Sequence, residues 1–488
     1  MSTGAGPSSV TDLQMFVAGA WVPAASGATE TAISPATGAA IGEVPQGDRD
    51  DARRAIAAAN AAAPGWARLT AFERAAYLRR VAAEIERRRD ALALTLTLDQ
   101  GKPLHSEAYP EVDELVAYWH NAAEDGVRLE GRLPNSVSPG KRVLLIRRPL
   151  GVVGVITPWN WPYTMPAELI APALACGNTV VWTPAPSTSV AAVALAECVA
   201  EAGLPPGVFN LVTGPGPVVG DEIARNPGVH GVGFIGSTVT GRKVAEAAAG
   251  KPVILELGGN GPLVLLADGD VAAAAGAAVA ACFLCAGQSC TAGERLLVHR
   301  SVKDEFVQVL AGLVVEQAVL GDPFADGTSL GPLNNEPVAA KMDEHVADAL
   351  GRGATAVTGG ARAAGFPTSL YWPATILDGV PADSLAAREE TFGPIAPVVA
   401  IDSLDEAIAL ANASPYGLLA AIFTRDLTAG LRFADEVRTG WVNVNESTNY
   451  WESHLPFGGR SGSASGTGRV GGTGPLETFS ELQTVVLS

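Results

Sequence analysis

Cysteine, charged side chains and long apolar runs are all scarce in this sequence. Five cysteines in 488 residues are too few, and odd in number, for the disulfide framework of a small secreted protein. Cys282 and Cys285 form a single C-x-x-C pair without a second pair or a His-rich tract, so no metal site is predicted. The longest apolar stretch, residues 271–287, is mostly Ala and Gly and ends in polar residues, which favours a buried helix over a membrane span.

Basic residues are outnumbered by acidic ones. The chain has 33 Lys and Arg against 51 Asp and Glu, which gives a formal net charge of −18 at pH 7. Phosphate groups would repel such a surface, so neither nucleic acid nor a membrane is an expected partner. With 48% hydrophobic and 17% charged residues the chain is globular, and its length predicts two or three domains.

The first residues, Met-Ser-Thr-Gly-Ala-Gly-Pro-Ser-Ser, contain no basic segment followed by an apolar one. This pattern predicts no signal peptide, and a cytoplasmic protein. Residues 16–47 have the pattern of short strands with turns. Residues 49–127 have helical apolar spacing, with breaks expected at Pro64-Gly65 and at residues 101–103.

Two α/β alternations follow in the chain. Between residues 150 and 258 apolar strands alternate with helices, which is typical of a doubly wound parallel sheet, and a second alternation runs from about 259 to 450. Residues 128–148 have the pattern of an extended arm, and residues 477–487 that of a β-prone tail. The predicted strands are Val152–Ile156, Asn178–Trp182, Phe209–Val212, Gly231–Ile235, Leu263–Leu266, Arg295–His299, Val398–Ile401, Leu419–Phe423 and Trp441–Val444.

Three polar residues stand where chemistry is expected. Cys290 follows the long Ala-rich helix, where its thiol could be an exposed nucleophile, although packing in a core is the usual fate of a free cysteine. Glu256 ends an apolar strand and precedes two glycines, so it is either a capping carboxylate or one used in a reaction. Asn160 lies in the sequence Thr157-Pro158-Trp159-Asn160-Trp161-Pro162. Either its side-chain amide donates a hydrogen bond to an oxyanion, or the segment is only a stiff aromatic turn.

Two further sequence elements have residues suited to binding a nucleotide. In Phe234-Ile235-Gly236-Ser237 a strand runs through Gly-Ser into a helix, whose N-terminus offers backbone N–H groups to a phosphate. This element matches neither the P-loop nor the G-x-G-x-x-G pattern, so on its own it is weak evidence for a nucleotide-binding site. In Glu390-Thr391-Phe392-Gly393-Pro394 an acid and an aromatic side chain are held by a Gly-Pro turn.

Together these five elements resemble the aldehyde dehydrogenase superfamily over nearly the whole chain, from about Phe16 to Val486. The separation of Glu256 and Cys290 along the sequence also fits that family. Further matching segments are Pro172-Ala173-Leu174-Ala175, Gly177-Asn178, Tyr416-Gly417-Leu418 and Pro456-Phe457-Gly458-Gly459.

The resemblance implies an NAD(P)-dependent oxidation of a small-molecule aldehyde to a carboxylic acid. Cys290 would attack the aldehyde carbon to give a thiohemiacetal, and water activated by Glu256 would hydrolyse the thioester that remains after hydride transfer. Asn160 and the backbone N–H of Cys290 would form the oxyanion hole. The residues expected to contact the cofactor are Ile156, Thr157, Pro158, Trp159, Thr183, Gly216, Phe234, Gly236, Ser237, Leu257, Glu390 and Phe392.

The implied fold is α/β: a Rossmann-like cofactor domain (residues 11–127 and 149–257), a second α/β catalytic domain (258–450), and a small β oligomerisation arm and tail (128–148 and 470–488). The family pairs such pieces between subunits, so a homodimer or homotetramer is expected. Residues expected to line the aldehyde tunnel are Trp161, Glu168, Ser289, Thr291, Tyr450, Trp451 and His454.

The sequence departs from the family pattern at several positions. Thr183 and Pro186 replace a lysine and a glutamate that usually contact the adenosine ribose, so NAD is the expected cofactor and NADP is left open. Leu169 replaces a common lysine or arginine. Cys285 replaces an asparagine, and is either packed or able to pair transiently with Cys290.

Three alternatives to this activity fit the same residues. A cysteine acyltransferase or esterase would use Cys290 without redox chemistry, although the cofactor elements argue against it. A binding protein could have kept the fold and lost the activity. A coenzyme-A-acylating enzyme would tend to lack a carboxylate at position 256, so Glu256 favours a free acid as product.

Overall fold

The computed structural model describes residues 11–488, so the N-terminal segment on which the absence of a signal peptide was predicted lies outside the described residues. The helices are α1 (Arg49–Ala67), α2 (Ala71–Arg87), α3 (Arg89–Gln100), α4 (Tyr109–Val127), α5 (Thr164–Ala175), α6 (Ser189–Glu201), α7 (Val219–Arg225), α8 (Thr238–Ala247), α9 (Val271–Phe283), α10 (Lys303–Gln317), α11 (Glu336–Gly351), α12 (Leu385–Arg388), α13 (Leu404–Ala413), α14 (Leu427–Glu436) and α15 (Gly474–Thr478).

The strands are β1 (Thr11–Asp12), β2 (Met15–Val17), β3 (Ala20–Val22), β4 (Thr29–Ile33), β5 (Ala40–Pro45), β6 (Arg142–Pro149), β7 (Val152–Ile156), β8 (Thr179–Thr183), β9 (Phe209–Leu211), β10 (Gly231–Ile235), β11 (Val253–Glu256), β12 (Pro262–Leu265), β13 (Arg295–His299), β14 (Thr355–Thr358), β15 (Thr375–Asp378), β16 (Ile395–Ile401), β17 (Leu419–Phe423), β18 (Trp441–Val444), β19 (Gly466–Thr467) and β20 (Ser480–Leu487).

The first sheet has eight strands in the order β19-β11-β10-β7-β8-β9-β2-β3, and the five from β11 to β9 are parallel. Successive side chains of a strand point to opposite faces, and here they enter two separate cores. Val152 of β7 belongs to the core that contains α1 residues, whereas Val153 belongs to the core that contains α5 residues. The sheet is therefore covered by helices on both faces, as the alternating pattern predicts.

The prediction of a break at Pro64-Gly65 is wrong. Helix α1 contains Pro64 and continues to Ala67. Trp66 is buried, and its indole N–H donates to the carbonyl of Leu174 at 3.0 Å, which anchors the last turn. A proline so near the helix end removes one backbone hydrogen bond that this contact offsets. The second predicted break is correct: α3 ends before Gly101, which has a φ of 97°.

The second sheet has seven strands in the order β14-β15-β16-β13-β12-β17-β18, and all neighbours except β14 and β15 are parallel. The sequence predicts five of these strands but neither β14 nor β15. Strand β14 lies at the edge of the sheet and is largely exposed, so it has little of the apolar signal that marks the buried strands.

The arm and tail are expected to pair between subunits, whereas in this structure they pair with each other within one chain. Strands β6 and β20 form an antiparallel ribbon from Pro149 opposite Ser480 to Arg142 opposite Leu487. The extended arm over residues 128–148 is only partly a strand, since β6 begins at Arg142.

The predicted β-prone tail begins earlier in the sequence than strand β20, which starts at Ser480. Residues before β20 form α15, which packs on α5, and the side chains of Leu476 and Phe479 are fully buried in the first core. Strand β19 pairs with β11, so the first sheet takes in residues beyond the predicted domains.

Candidate active site

Three neighbouring strands of the first sheet end at the same edge. Strands β11, β10 and β7 are adjacent and parallel, so their carboxyl ends lie together. Glu256 is the last residue of β11, Ser237 follows β10, and Asn160 lies in the turn after β7. In open α/β sheets ligands bind at the carboxyl ends of the strands. The topology thus gathers at one edge three residues that are far apart in the sequence.

Cys290 reaches this edge from the turn that follows α9. Within that turn Cys285 and Ala286 have left-handed backbone (φ 54° and 52°), which costs roughly 1–2 kcal/mol per residue. The buried carboxylate of Glu107 accepts the N–H of Cys285 at 2.8 Å, and the Gln288 side chain donates to the Cys285 carbonyl at 2.8 Å. These bonds hold the strained turn in place. Cys285 is buried, in agreement with its packed interpretation.

Two cavities meet at Cys290. The strand-edge cavity is lined by residues that include Trp159, Ser237, Glu390 and Phe392. The aromatic cavity, on the other side, is lined by residues that include Tyr118, Trp161, Trp451 and Phe457. Cys290, Glu256 and Met165 line both cavities. A molecule in either cavity would therefore reach the same thiol and carboxyl group.

Burial dominates the electrostatics of this junction. Burial, and then the nearby Glu168 carboxyl, hold the pKa of Glu256 well above its usual value, and an interaction with the Cys290 thiol offsets only part of this rise. Burial, Glu256 and Glu390 likewise raise the pKa of the Cys290 thiol. The Oε1 atom of Glu256 has no hydrogen-bond partner among the described residues. A buried carboxyl oxygen left without a partner is the arrangement expected of a working acid or base.

Asn160 is buried and fixed beside Cys290. Its Nδ2 donates to the backbone carbonyl of Gln288 at 2.9 Å. The Cys285 thiol donates to the backbone carbonyl of Asn160, with a sulfur–oxygen distance of 3.6 Å. A carboxamide has two N–H groups, so one donor remains for a ligand. Asn160 lines the strand-edge cavity together with Cys290.

Ser237 stands at the N-terminus of α8. Its exposed side chain accepts the N–H of Thr240 at 3.3 Å and so caps the helix. The positive end of the α8 dipole and its free N–H groups thus face the strand-edge cavity, where they favour an anion.

Aromatic rings and a carboxylate also line the strand-edge cavity. The rings of Trp159 and Phe392 are 5.6 Å apart in a perpendicular arrangement. The Glu390 carboxylate accepts the backbone N–H of Gly259 at 2.7 Å. Pro158, Gly236 and Leu257 line this cavity as well.

The other residues expected at the cofactor are not in the wall of the strand-edge cavity. The Thr157 hydroxyl accepts the indole N–H of Trp182 at 2.8 Å, and the buried Thr183 hydroxyl has no partner among the described residues. The remaining three are Ile156 at the end of β7, Phe234 within β10 and Gly216 before α7.

Most of the expected tunnel residues line the aromatic cavity, namely Trp161, Glu168, Ser289, Thr291 and Trp451. Tyr450 and His454 do not. Both are exposed, and both contact Glu452: the Tyr450 hydroxyl at 2.6 Å and His454 Nδ1 at 3.4 Å. They lie outside the cavity, beside one of its acidic residues.

Sequence reasoning missed Lys341, which lines the strand-edge cavity, and Glu294, which supports two residues of its wall. The buried Glu294 carboxylate accepts the backbone N–H groups of Thr391 and Phe392, and Lys341 Nζ donates to the carbonyl of Glu390. Glu294 lies beside a buried strand, as Glu256 does, and that pattern could have found it. An isolated lysine on α11 gives no such signal.

Comparison with known proteins identifies the family. The model of the aldehyde dehydrogenase family matches residues 21–485. The chain belongs to that family. It is therefore an oxidoreductase that oxidises an aldehyde with a nicotinamide dinucleotide, on the Rossmann-like and catalytic domains expected from the sequence.

Three similar proteins illustrate the match. The succinate-semialdehyde dehydrogenase [NADP(+)] of Escherichia coli is 40% identical, over 96% of each chain. The glutarate-semialdehyde dehydrogenase of Pseudomonas aeruginosa is 40% identical, over 97% of each chain. The crystal structure of an NAD-dependent aldehyde dehydrogenase from Sinorhizobium meliloti has a TM-score of 0.94 and 37% identity, and the match covers 98% of this chain and 95% of that one.

Two features are absent from residues 11–488. No helix in this range has both the length and the apolar character needed to cross a membrane. The same range holds no group of three or more His, Cys, Asp or Glu side chains arranged to bind a metal ion.

Proposed function

We propose that this chain oxidises an aldehyde to the free carboxylic acid at the junction of the two cavities, with Cys290 as the nucleophile. The sulfur forms a bond to the carbonyl carbon, and the thiol proton is released to solvent. When bound, the dinucleotide accepts the hydride that leaves this carbon. Water then adds to the resulting thioester and Glu256 takes its proton. The carbon–sulfur bond breaks to release the acid, and Glu256 returns the proton to the sulfur of Cys290.

The observation that carries this proposal is that Cys290 and Glu256 both line both cavities. A nucleophile and a base at the junction can act on a carbonyl carbon that enters from one side while hydride departs to the other. The free N–H of Asn160 and the backbone N–H of Cys290 are the proposed oxyanion donors. Loss of one such donor typically lowers the rate on the order of 10²–10³-fold.

The strand-edge cavity fits a dinucleotide. Ser237 and the N-terminus of α8 would hold the pyrophosphate, since they offer N–H groups and a positive dipole end. Glu390 would accept hydrogen bonds from ribose hydroxyls, and Trp159 and Phe392 would enclose the nicotinamide end. We propose that NAD is preferred and that NADP is also accepted, because Thr183 and Pro186 supply no charge against a 2′-phosphate.

Assembly and location complete the proposal. The two-stranded β6–β20 ribbon has open edges, and exposed strand edges favour pairing with another chain. We propose a homodimer or homotetramer with closed symmetry, located in the cytoplasm.

The Cys290→Ala variant tests the function. We expect loss of aldehyde oxidation, with dinucleotide binding retained, because the thiol forms the covalent bond but is not needed to bind the cofactor. Reduced nicotinamide is followed by its absorbance, and dinucleotide binding by calorimetry. Cys198→Ala, which removes a buried thiol from α6, is the matched control and should stay active. Thioester or ester hydrolysis without reduced nicotinamide would instead support an esterase or acyltransferase.

A further inference from the structure

The aromatic cavity is acidic. Its wall includes three carboxyl groups, those of Glu168, Glu256 and Glu452, and includes no Lys, Arg or His; all of its lining residues belong to the described part of the chain. Glu256 is assigned to the reaction at Cys290. Glu168, on α5, and Glu452, in the loop after β18, have no such role. Glu452 already contacts Tyr450 and His454, so Glu168 is the carboxyl group left to interact with the part of a substrate that is remote from the aldehyde.

Cations near this cavity are already paired. Lys102 Nζ lies 3.3 Å from the centroid of the Trp161 ring, but it is fully buried, does not line the cavity and forms a 2.5 Å ion pair with Glu111. His454 is exposed beside Glu452, outside the cavity. Neither group is placed to neutralise Glu168 or to bind an anionic substrate inside the cavity.

The rings of the cavity add to its affinity for positive charge. Trp161 and Trp451 meet edge to face, with centroids 6.1 Å apart. The Trp451 indole N–H donates to Glu114 at 3.0 Å, which fixes the ring and orients it with its donor away from solvent. The faces of indole rings are electronegative and attract ammonium groups, by roughly 0.5–2 kcal/mol.

The named substrates of the two curated relatives are semialdehydes, which carry one carboxylate at the end remote from the aldehyde. In this cavity that carboxylate would meet the carboxyl group of Glu168 and no Lys, Arg or His among the lining residues, and a buried unpaired anion is costly. Building on the function proposed above, we propose that the preferred substrate is a cationic aldehyde whose remote ammonium group is bound by Glu168 and by the rings of Trp161 and Trp451.

Two further properties support a cationic substrate. Burial raises the pKa of Glu168 to about 8, and the neighbouring Glu114 adds to the rise. Near neutral pH the free carboxyl group is therefore largely protonated, and a bound ammonium group would lower this pKa and favour the carboxylate. The net charge of −18 also favours the approach of cations over anions.

Steady-state kinetics with three aldehydes of similar length test the inference. The cation is 4-(trimethylammonio)butanal, its neutral isostere is 5,5-dimethylhexanal, and the anion is succinic semialdehyde. We expect kcat/KM for the cation to exceed that for the neutral isostere by about tenfold or more, and the anion to be the poorest of the three. If none is oxidised, the proposed function fails. If the anion or the neutral aldehyde is preferred, only the inference about charge is wrong.

Variants at Glu168 give a second test. In Glu168→Gln the ratio of kcat/KM for the cation to that for its neutral isostere should fall about tenfold. In Glu168→Arg the preference should turn towards succinic semialdehyde. Glu305→Gln, an exposed glutamate of α10, is the matched control and should keep the parental ratio. A ratio unchanged in Glu168→Gln, with the variant folded as judged by its thermal midpoint, would overturn the assignment of Glu168.

Discussion

The Glu294 carboxylate accepts a 2.9 Å hydrogen bond from the backbone N–H of Phe392, and its other oxygen accepts that of Thr391 at 2.8 Å. Phe392 has a φ of 61°, a left-handed backbone that a bulky residue adopts only when its surroundings hold it there. Glu294 is thus the support of the turn that places Glu390 and Phe392 in the strand-edge cavity.

Replacing Glu294 by Gln should weaken cofactor binding. The amide puts an NH₂ group where one carboxylate oxygen accepted a backbone N–H, so one bond is lost, at about 1.5–3 kcal/mol for a charged acceptor. We expect the KM for the dinucleotide to rise about tenfold or more while the KM for the aldehyde changes much less. Glu316→Gln, an exposed change on α10, should alter neither constant. Equal rises in both KM values would mean that the turn supports the whole site.

The Glu256→Gln variant should separate the two halves of the reaction. Hydride transfer needs only the Cys290 adduct, whereas hydrolysis of the thioester needs a base for water. We expect a rapid burst of reduced nicotinamide followed by slow turnover, measured by stopped-flow absorbance. Loss of the burst together with turnover would place Glu256 in activation of the thiol instead.

The activity should fall as the pH is lowered. Burial and Glu168 hold the pKa of Glu256 above its usual value, so the carboxylate that acts as base is populated only towards higher pH. Glu168→Gln removes one negative neighbour, lowers the pKa of Glu256 and should move the acidic limb of the kcat profile to lower pH. The profile of each protein is measured with a neutral aldehyde. A shift to higher pH would contradict this account of the pair.

The local parts of the fold and site follow from the sequence, whereas the long-range parts do not. The alternation of apolar strands with helices predicts β7, β10 and the position of Glu256 at the end of a strand. Each of these signals lies within a short stretch of the sequence. The alternation does not predict that Glu294 holds the turn before Phe392, since that contact joins residues far apart in the chain. Tyr450 and His454 were placed in the tunnel by analogy alone, and they lie outside it.

The β6–β20 ribbon should mediate assembly. Leu482 and Val486 are each 53% exposed on it, and a two-stranded sheet is marginal without a further partner. We expect sedimentation to show a dimer or tetramer at micromolar concentration. Lysine at both positions should shift it to smaller species, whereas Val315→Lys, on exposed α10 surface, should not. A parent protein that sediments only as a monomer would rule the ribbon out as an interface.

The choice between NAD and NADP should depend on position 186. Pro186 is exposed and begins a short 3₁₀ turn three residues after Thr183, at the end of β8. The family pattern places a glutamate there, which accepts from the ribose 2′-hydroxyl and repels a 2′-phosphate. Without it, we expect NAD to be preferred by less than about a hundredfold in kcat/KM, or about 2.7 kcal/mol.

Pro186→Glu should widen that preference, because the new carboxylate penalises the phosphate and can hydrogen-bond the hydroxyl, at roughly 1.5–3 kcal/mol for a charged bond. Pro186→Gln is the matched control: it removes the proline ring and offers a hydrogen bond but no charge, so it should widen the preference less. Steady-state kinetics with both dinucleotides, at one saturating aldehyde concentration, give the ratio for the three proteins. If the parent already excludes NADP, or if Glu and Gln at this position leave the ratio unchanged, then the selection lies elsewhere in the strand-edge cavity, and the loss of the glutamate is not what sets it.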